Sequence, residues 1–164
     1  MDGEVKMIKK IVLSSLILAL SQVSHATSAQ SITNYPDLLN SLSQGHSVRA
    51  IMYVNKCSIA SATNASNDVI AGMNFTVFNK YAVTVGTQLK NAIAISDNKL
   101  VEHSKFGPVY NYVRLRVFED NSVEIFSEYL DPTTYKQLGS MTANCAISNG
   151  HDQNGILLFD SASL

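Results

Sequence analysis

Residues 109–130 read VYNYVRLRVFEDNSVEIFSEYL, and the way this stretch pairs with itself decides the fold. Apolar and polar residues alternate on both sides of Glu119-Asp120-Asn121, the period-two pattern of an antiparallel hairpin with one buried face. A three-residue loop at 119–121 sets Val117 against Val123 and Leu115 against Ile125 inside, with Arg116 against Glu124 outside. A two-residue loop would place Val117 opposite Glu124 and Arg116 opposite Ile125, mixing charge into the apolar face, and is rejected. The longer loop wants a left-handed third residue, and Asn121 is the best non-glycine choice there.

Outward from this hairpin the same period recurs in short runs rich in β-branched and aromatic residues, separated by Asn, Asp and Gly. It predicts strands at 48–54, 69–78, 81–86, 92–96, 109–118, 122–130, 141–147 and 155–159. Val48 to Val54 is apolar on both faces apart from Arg49, as a strand inside a packed sheet would be. Cys57 to Asn67 is small and polar with no apolar period and reads as a loop, and Thr27 to Thr33 reads as loose. One helix precedes the strands. Pro36 suits its first turn, Asp37 meets the positive end of its dipole, and Gly45 can close its last turn in the left-handed region. Tyr35, Leu38, Leu39 and Leu42 form its apolar stripe. The expected fold is mainly β, one antiparallel domain, barrel-like or a sandwich, with a short N-terminal α-helix.

The amino end carries an export signal: Lys9 and Lys10, then the apolar run Ile11 to Leu20, then Ser24-His25-Ala26 as a cleavage site. Asp2 and Glu4 put acid where such a signal wants base, and Met7 opens a cleaner version, so translation is expected to begin at Met7. The apolar core covers ten residues, where a bilayer crossing needs about twenty. Residues 1–26 therefore read as a removable leader. Residues 27–164 read as a single exported β domain, periplasmic or secreted, with no membrane span of its own. That portion carries nine Lys and Arg against eleven Asp and Glu, a net charge of −2 with no charged block. Nothing in it would steer nucleic acid or an anionic membrane over long range.

Cys57 and Cys145 are an isolated pair outside any Cys-x-x-Cys arrangement, and in an oxidising compartment they are most simply a disulfide. Closing so long a loop would stabilise the fold by at most about 4–5 kcal/mol on the chain-entropy account. The competing readings, a redox pair or a metal site, lack a second cysteine near either one.

Tyr110, Tyr112, Arg114 and Arg116 share one side of a strand beside Glu124, Phe126 and Glu128 on its partner. Tyr and Arg bring planar area and fixed donors at low entropic cost, which makes this a candidate contact surface. Ordinary solvent-facing alternation produces the same pattern, with Arg116–Glu124 and Tyr112–Glu128 as cross-strand pairs. His46, His103 and His151 each fall in a predicted loop without ligand spacing, and no metal or cofactor is expected. The sequence holds no Gly-x-Ser-x-Gly elbow, no His-Glu-x-x-His, and no phosphate or dinucleotide glycine loop. Catalysis is therefore not expected, although a motif-free enzyme using loop residues such as His103 or His151 is the second reading.

Three stretches together resemble the bacterial VirK protein family: 38–57, LLNSLSQGHSVRAIMYVNKC; 107–123, GPVYNYVRLRVFEDNSV; and 130–150, LDPTTYKQLGSMTANCAISNG. The resemblance implies a small exported protein associated with virulence, and it brings no activity, substrate or cofactor to particular positions. Arg114, Arg116, Asp131, Pro132 and Tyr135 match the family pattern. For the last three a structural role is expected, with Asp131-Pro132 starting a turn and Tyr135 closing over the core. The functional expectation is a non-catalytic binding module whose partner is another protein or a small envelope or host molecule.

Overall fold

The computed structural model describes residues 29–63 and 69–161, so the expected leader lies outside the described residues. In chain order the elements are β1 Gln30–Ile32, α1 Tyr35–Ser43, β2 Ser47–Tyr53, β3 Ser58–Thr63, β4 Ile70–Phe75, β5 Asn79–Val85, β6 Gln88–His103, β7 Gly107–Phe118, β8 Ser122–Leu130, β9 Gln137–Ala146 and β10 Ile156–Ser161. They form two antiparallel sheets, ordered β1-β10-β2-β4 and β3-β9-β8-β7-β6-β5. Between the barrel and the sandwich left open by sequence, the outcome is sandwich-like. Val48, Ala50, Met52, Phe75, Ile156 and Leu158 from the smaller sheet meet Ile93, Ile95, Leu115, Val117, Val123 and Ile125 from the larger in one buried cluster.

The β7–β8 hairpin has the expected register. Val117 lies opposite Val123, Arg116 opposite Glu124, Leu115 opposite Ile125 and Tyr112 opposite Glu128. Asn121 takes φ 67°, the left-handed value the loop requires. Its side chain does further work, because Oδ1 accepts from the backbone N–H of Tyr35 at 2.7 Å and ties the start of α1 to the hairpin. The helix itself is capped by Asn34, whose Oδ1 accepts from Asp37 N at 2.9 Å, and Gly45 follows it at φ 80°. Leu38 and Leu42 are buried as expected, while Leu39 is only half-buried and Ser41 takes a buried place.

Several sequence expectations change, each for a tertiary reason. Ser58–Thr63 is a strand, not a loop. It pairs along β9 at the sheet edge, so its backbone is satisfied while nearly all its side chains stay exposed and show no apolar period. Gln30–Ile32 is likewise ordered by pairing with β10, with only Ile32 buried. The run expected as one strand at 69–78 is divided, since residues 70–75 belong to the smaller sheet and the chain crosses at 76–78 to begin β5 in the larger. The strand expected at 92–96 runs from Gln88 to His103, because its polar second half pairs with β7. β2 is flanked by strands on both sides but buries only one face, with Ser47 and Arg49 exposed on the other.

Cys57 and Cys145 form a disulfide with Cα atoms 4.7 Å apart, as expected. Cys57 follows the 3₁₀ turn Val54–Lys56, so the bond pins the passage between sheets to β9. Gly155 packs here so closely that a Cβ would lie 2.7 Å from Cys57 Sγ and 2.8 Å from the Tyr53 carbonyl oxygen.

Two Asn121 variants separate the residue's two roles under equilibrium urea unfolding. Asn121→Gly, which keeps the left-handed backbone and loses the bond to Tyr35, should cost about 1 kcal/mol. Asn121→Ala adds left-handed strain and should cost about 2 kcal/mol. Equal stability of both variants and the parent would contradict this account.

Candidate functional site

Because β7 and β8 bury Leu115, Val117, Val123 and Ile125, period-two geometry turns Tyr110, Tyr112, Arg114, Arg116, Glu124 and Phe126 to the outer face of the larger sheet. Arg114 and Arg116 converge on one carboxylate. Arg116 donates to Glu124 Oε1 through Nε at 2.9 Å and also through its terminal nitrogen, and Arg114 donates to the same oxygen at 3.3 Å. The Arg114 guanidinium also lies 5.2 Å from the centre of the Phe126 ring, with Tyr112 edge-on to Phe126 at 6.3 Å. Arg114 Nε is buried with no hydrogen-bond partner among the described residues. The arginines are thus held in place before any partner arrives, which lowers the entropy lost on contact.

Tyr135 departs from expectation. It does not cover the core but is 63% exposed, at φ 56°. The turn that starts at Asp131 holds it there: Asp131 Oδ1 accepts from Thr133 N at 2.9 Å and Thr134 N at 2.7 Å, and Tyr135 N donates to the Asp131 carbonyl at 2.9 Å. The bonds from Thr134 and Thr133 hold the Asp131 carboxyl below its usual range. The Tyr135 ring lies parallel to that of Tyr110, with centroids 5.9 Å apart and planes 3° apart, and so extends the predicted face by one aromatic group. Nothing in the sequence of 130–136 reveals which strand the turn folds against, so this placement is not legible there.

The histidines stand in three separate places. His103 closes β6 instead of lying in a loop, between the rings of Phe106 at 4.7 Å and Tyr129 at 4.6 Å, and its Nδ1 accepts from Lys105 N at 3.1 Å. His151 is exposed in the β9–β10 loop, where its N–H donates to Asn149 Oδ1 at 2.9 Å. His46 Nδ1 lies 2.8 Å from Asp160 Oδ2, which also accepts from Ser41 Oγ at 2.8 Å. A serine, an aspartate and a histidine thus meet, but the carboxylate sits between the other two. The hydroxyl donates its hydrogen bond to Asp160 and not to the imidazole, which is not the order of a nucleophile relay. Among the described residues no three His, Cys, Asp or Glu side chains gather as a metal site would need, and no helix is long and apolar enough to cross a membrane, a statement that leaves strands aside.

A concavity lies on the other side of the same sheet. Beyond the core the inner face of the larger sheet turns polar, and a cavity of ≈ 210 Å³ opens between β4 and β6, lined in part by Met52, Met73, Asp97, Lys99 and Val113. Asp97 pairs with Lys99 at 2.7 Å, and Ser127 Oγ donates to Asn111 Oδ1 at 3.1 Å. The signal was present in Ile93, Ile95, Asp97 and Lys99, alternate residues of one strand, and was lost where the predicted strand ended at Ser96.

These features define a small two-sheet antiparallel β protein, stapled by one disulfide and carrying an aromatic and guanidinium face on its larger sheet. The chain belongs to the VirK protein family, whose model matches residues 31–135. The crystal structure of a VirK family protein from Legionella pneumophila has the same fold, with a TM-score of 0.60 and 15% identity over 79% of this chain and 98% of that one. A comparison with curated proteins finds no match.

Burial alone would raise the Asp160 carboxyl, but the hydrogen bonds from His46 and Ser41 and the attraction of His46 outweigh it and hold it below the usual range. Its folded pKa lies below the unfolded value of about 3.9, so its stabilisation is complete above that pH and is lost as pH falls through the folded value. Unfolding free energy should therefore drop less steeply below about pH 4 in Asp160→Asn than in the parent. Parallel acid limbs would remove Asp160 from the account.

Proposed function

We propose that the chain is an exported, virulence-associated binding module of the VirK type, non-catalytic, acting in the periplasm or outside the cell. It takes hold of another protein or a small envelope or host molecule through Tyr110, Tyr112, Arg114 and Arg116. The observation that carries this reading is the grouping of Tyr110, Tyr112, Arg114, Phe126 and Tyr135 in one preorganised patch on the outer face. Tyr and Arg anchors of this kind dominate the energy of protein contacts. Export is supported by the Lys9 to Ala26 signal pattern and by a disulfide, which persists in oxidising compartments. The rival reading, an envelope enzyme working through loop residues such as His103 or His151, has less behind it: His103 is wedged between two rings, which leaves the exposed His151 to carry it.

Replacing Tyr112 and Arg114 together by Ala tests the face. Glu124 keeps Arg116 as its partner, so the sandwich should stay folded while affinity capture from the native envelope or from target-cell lysate falls at least thirtyfold, by about 2 kcal/mol or more. Undiminished capture by a folded double variant would acquit the face.

Export is checked on material isolated from the cell envelope by mass spectrometry. The mature chain should begin at Thr27 and show no thiol open to alkylation until it is reduced. A retained Met7 with Cys57 and Cys145 both free would overturn the assignment.

A further inference from the structure

Each sheet ends in strands whose outer backbone groups have no neighbour among the described residues, and most of these edges carry a safeguard against pairing with another chain. β1 is only three residues long. β3 is broken by a register shift between Ile59 and Ser61. β4 is six residues long and weakened by Gly72 in its interior, and the half of β6 that runs past β5 bears Asp97, Lys99 and Glu102. β5 carries the least of these, a lone Lys80 with no bulge and no glycine. It is the outermost strand of the larger sheet, seven residues long, with regular pairing to β6 and with Lys80 as its single charge. Tyr81 and Val85, exposed by 38% and 41%, share one face with Val83.

The strand is also presented rigidly. The β5–β6 hairpin reaches beyond the end of β7, since residues 88–91 of β6 pair with β5 and the β7 ladder begins at Ala92 opposite Phe118. It is braced against the β7–β8 turn: Asn91 Nδ2 donates to Glu119 Oε2 at 2.7 Å, Glu119 N donates to the Asn91 carbonyl at 3.1 Å, and Lys90 pairs with Asp120. Burial would raise the Asp120 carboxyl, but its bonds to Lys90 and Ser122 prevail and hold it at about 2, so the brace is charged at neutral pH.

We propose that β5 is a self-association edge whose occupant is β5 of a second copy of this chain, paired antiparallel about a twofold axis at Ala82. That register uses the whole strand, placing Tyr81 opposite Val83 of the copy, Lys80 opposite Thr84, Asn79 opposite Val85, and Ala82 opposite itself. No like charges meet directly, and the Tyr81, Val83 and Val85 stripe continues from one sheet into the next. The joined sheets would run as one sheet of twelve strands, six from each copy. An edge of seven residues is about 24 Å long and about 10 Å deep, which is small beside the roughly 800 Å² per partner of a standard interface. The dimer is accordingly weak and depends on concentration.

Sedimentation equilibrium of the oxidised mature protein, from about 10 μM to 1 mM, should show the mean mass rising toward twice that of one chain. Ala82 is exposed and faces neutral Asn91 across the hairpin, so Ala82→Lys and Ala82→Glu should both fold, as circular dichroism will verify. Each alone should stay monomeric by like-charge repulsion at the axis, and an equimolar mixture should recover a dimer of one of each. A parent protein that remains monomeric throughout the range overturns the proposal. So does a folded Ala82→Lys variant that dimerises as the parent does, or a mixture that fails to associate.

Discussion

The register of the β7–β8 hairpin is the constraint on which the rest of this structure depends. Strand side chains alternate, so a slip of one residue would carry Leu115, Val117, Val123 and Ile125 out of the core and bring Arg116 and Glu124 into it. Asn121 prevents the slip by supplying a left-handed residue at the third loop position without glycine's conformational freedom. The same side chain receives the first amide of α1, so the corner that aligns the sheet also seats the helix. Inner core, outer face and helix position all follow from one turn.

A sandwich must hold its two sheets together and its helix against them, and two devices share that task here. One is the Cys57–Cys145 bond, which links the passage after β2 to β9 and closes a loop between residues 88 apart in sequence. The other is the Ser41–Asp160–His46 cluster, which ties the end of α1 to β10 through one half-buried carboxylate. Gly155 shows how tight the first device is, since no larger residue fits between the sulfur and the Tyr53 carbonyl.

The outer face follows the same economy. Glu124 occupies two arginines at once, so the guanidinium groups are oriented from within the protein and their aromatic neighbours lie against them. In sequence this face is indistinguishable from ordinary solvent-facing alternation, and the cross-strand pair of Arg116 with Glu124 fits both descriptions. Tyr135 distinguishes the structure from the pattern. A left-handed tyrosine held out by the Asp131 turn and laid along Tyr110 is a backbone arrangement that no periodicity encodes.

By itself the sequence determined the mainly β class, the hairpin register, the helix with both its ends, and the pairing of the two cysteines. These rest on local rules: period, turn chemistry, capping and a single possible connectivity. Tertiary structure alone decided that Gln30–Ile32 and Ser58–Thr63 are strands, that β6 runs through Asp97 and Lys99 to His103, and that the chain changes sheets at 76–78. Edge strands draw their order from main-chain bonds to a neighbour and bury few side chains, so they leave no apolar rhythm to read. Barrel or sandwich was settled in the same way, by which edges meet, and an edge's partner lies far away along the chain.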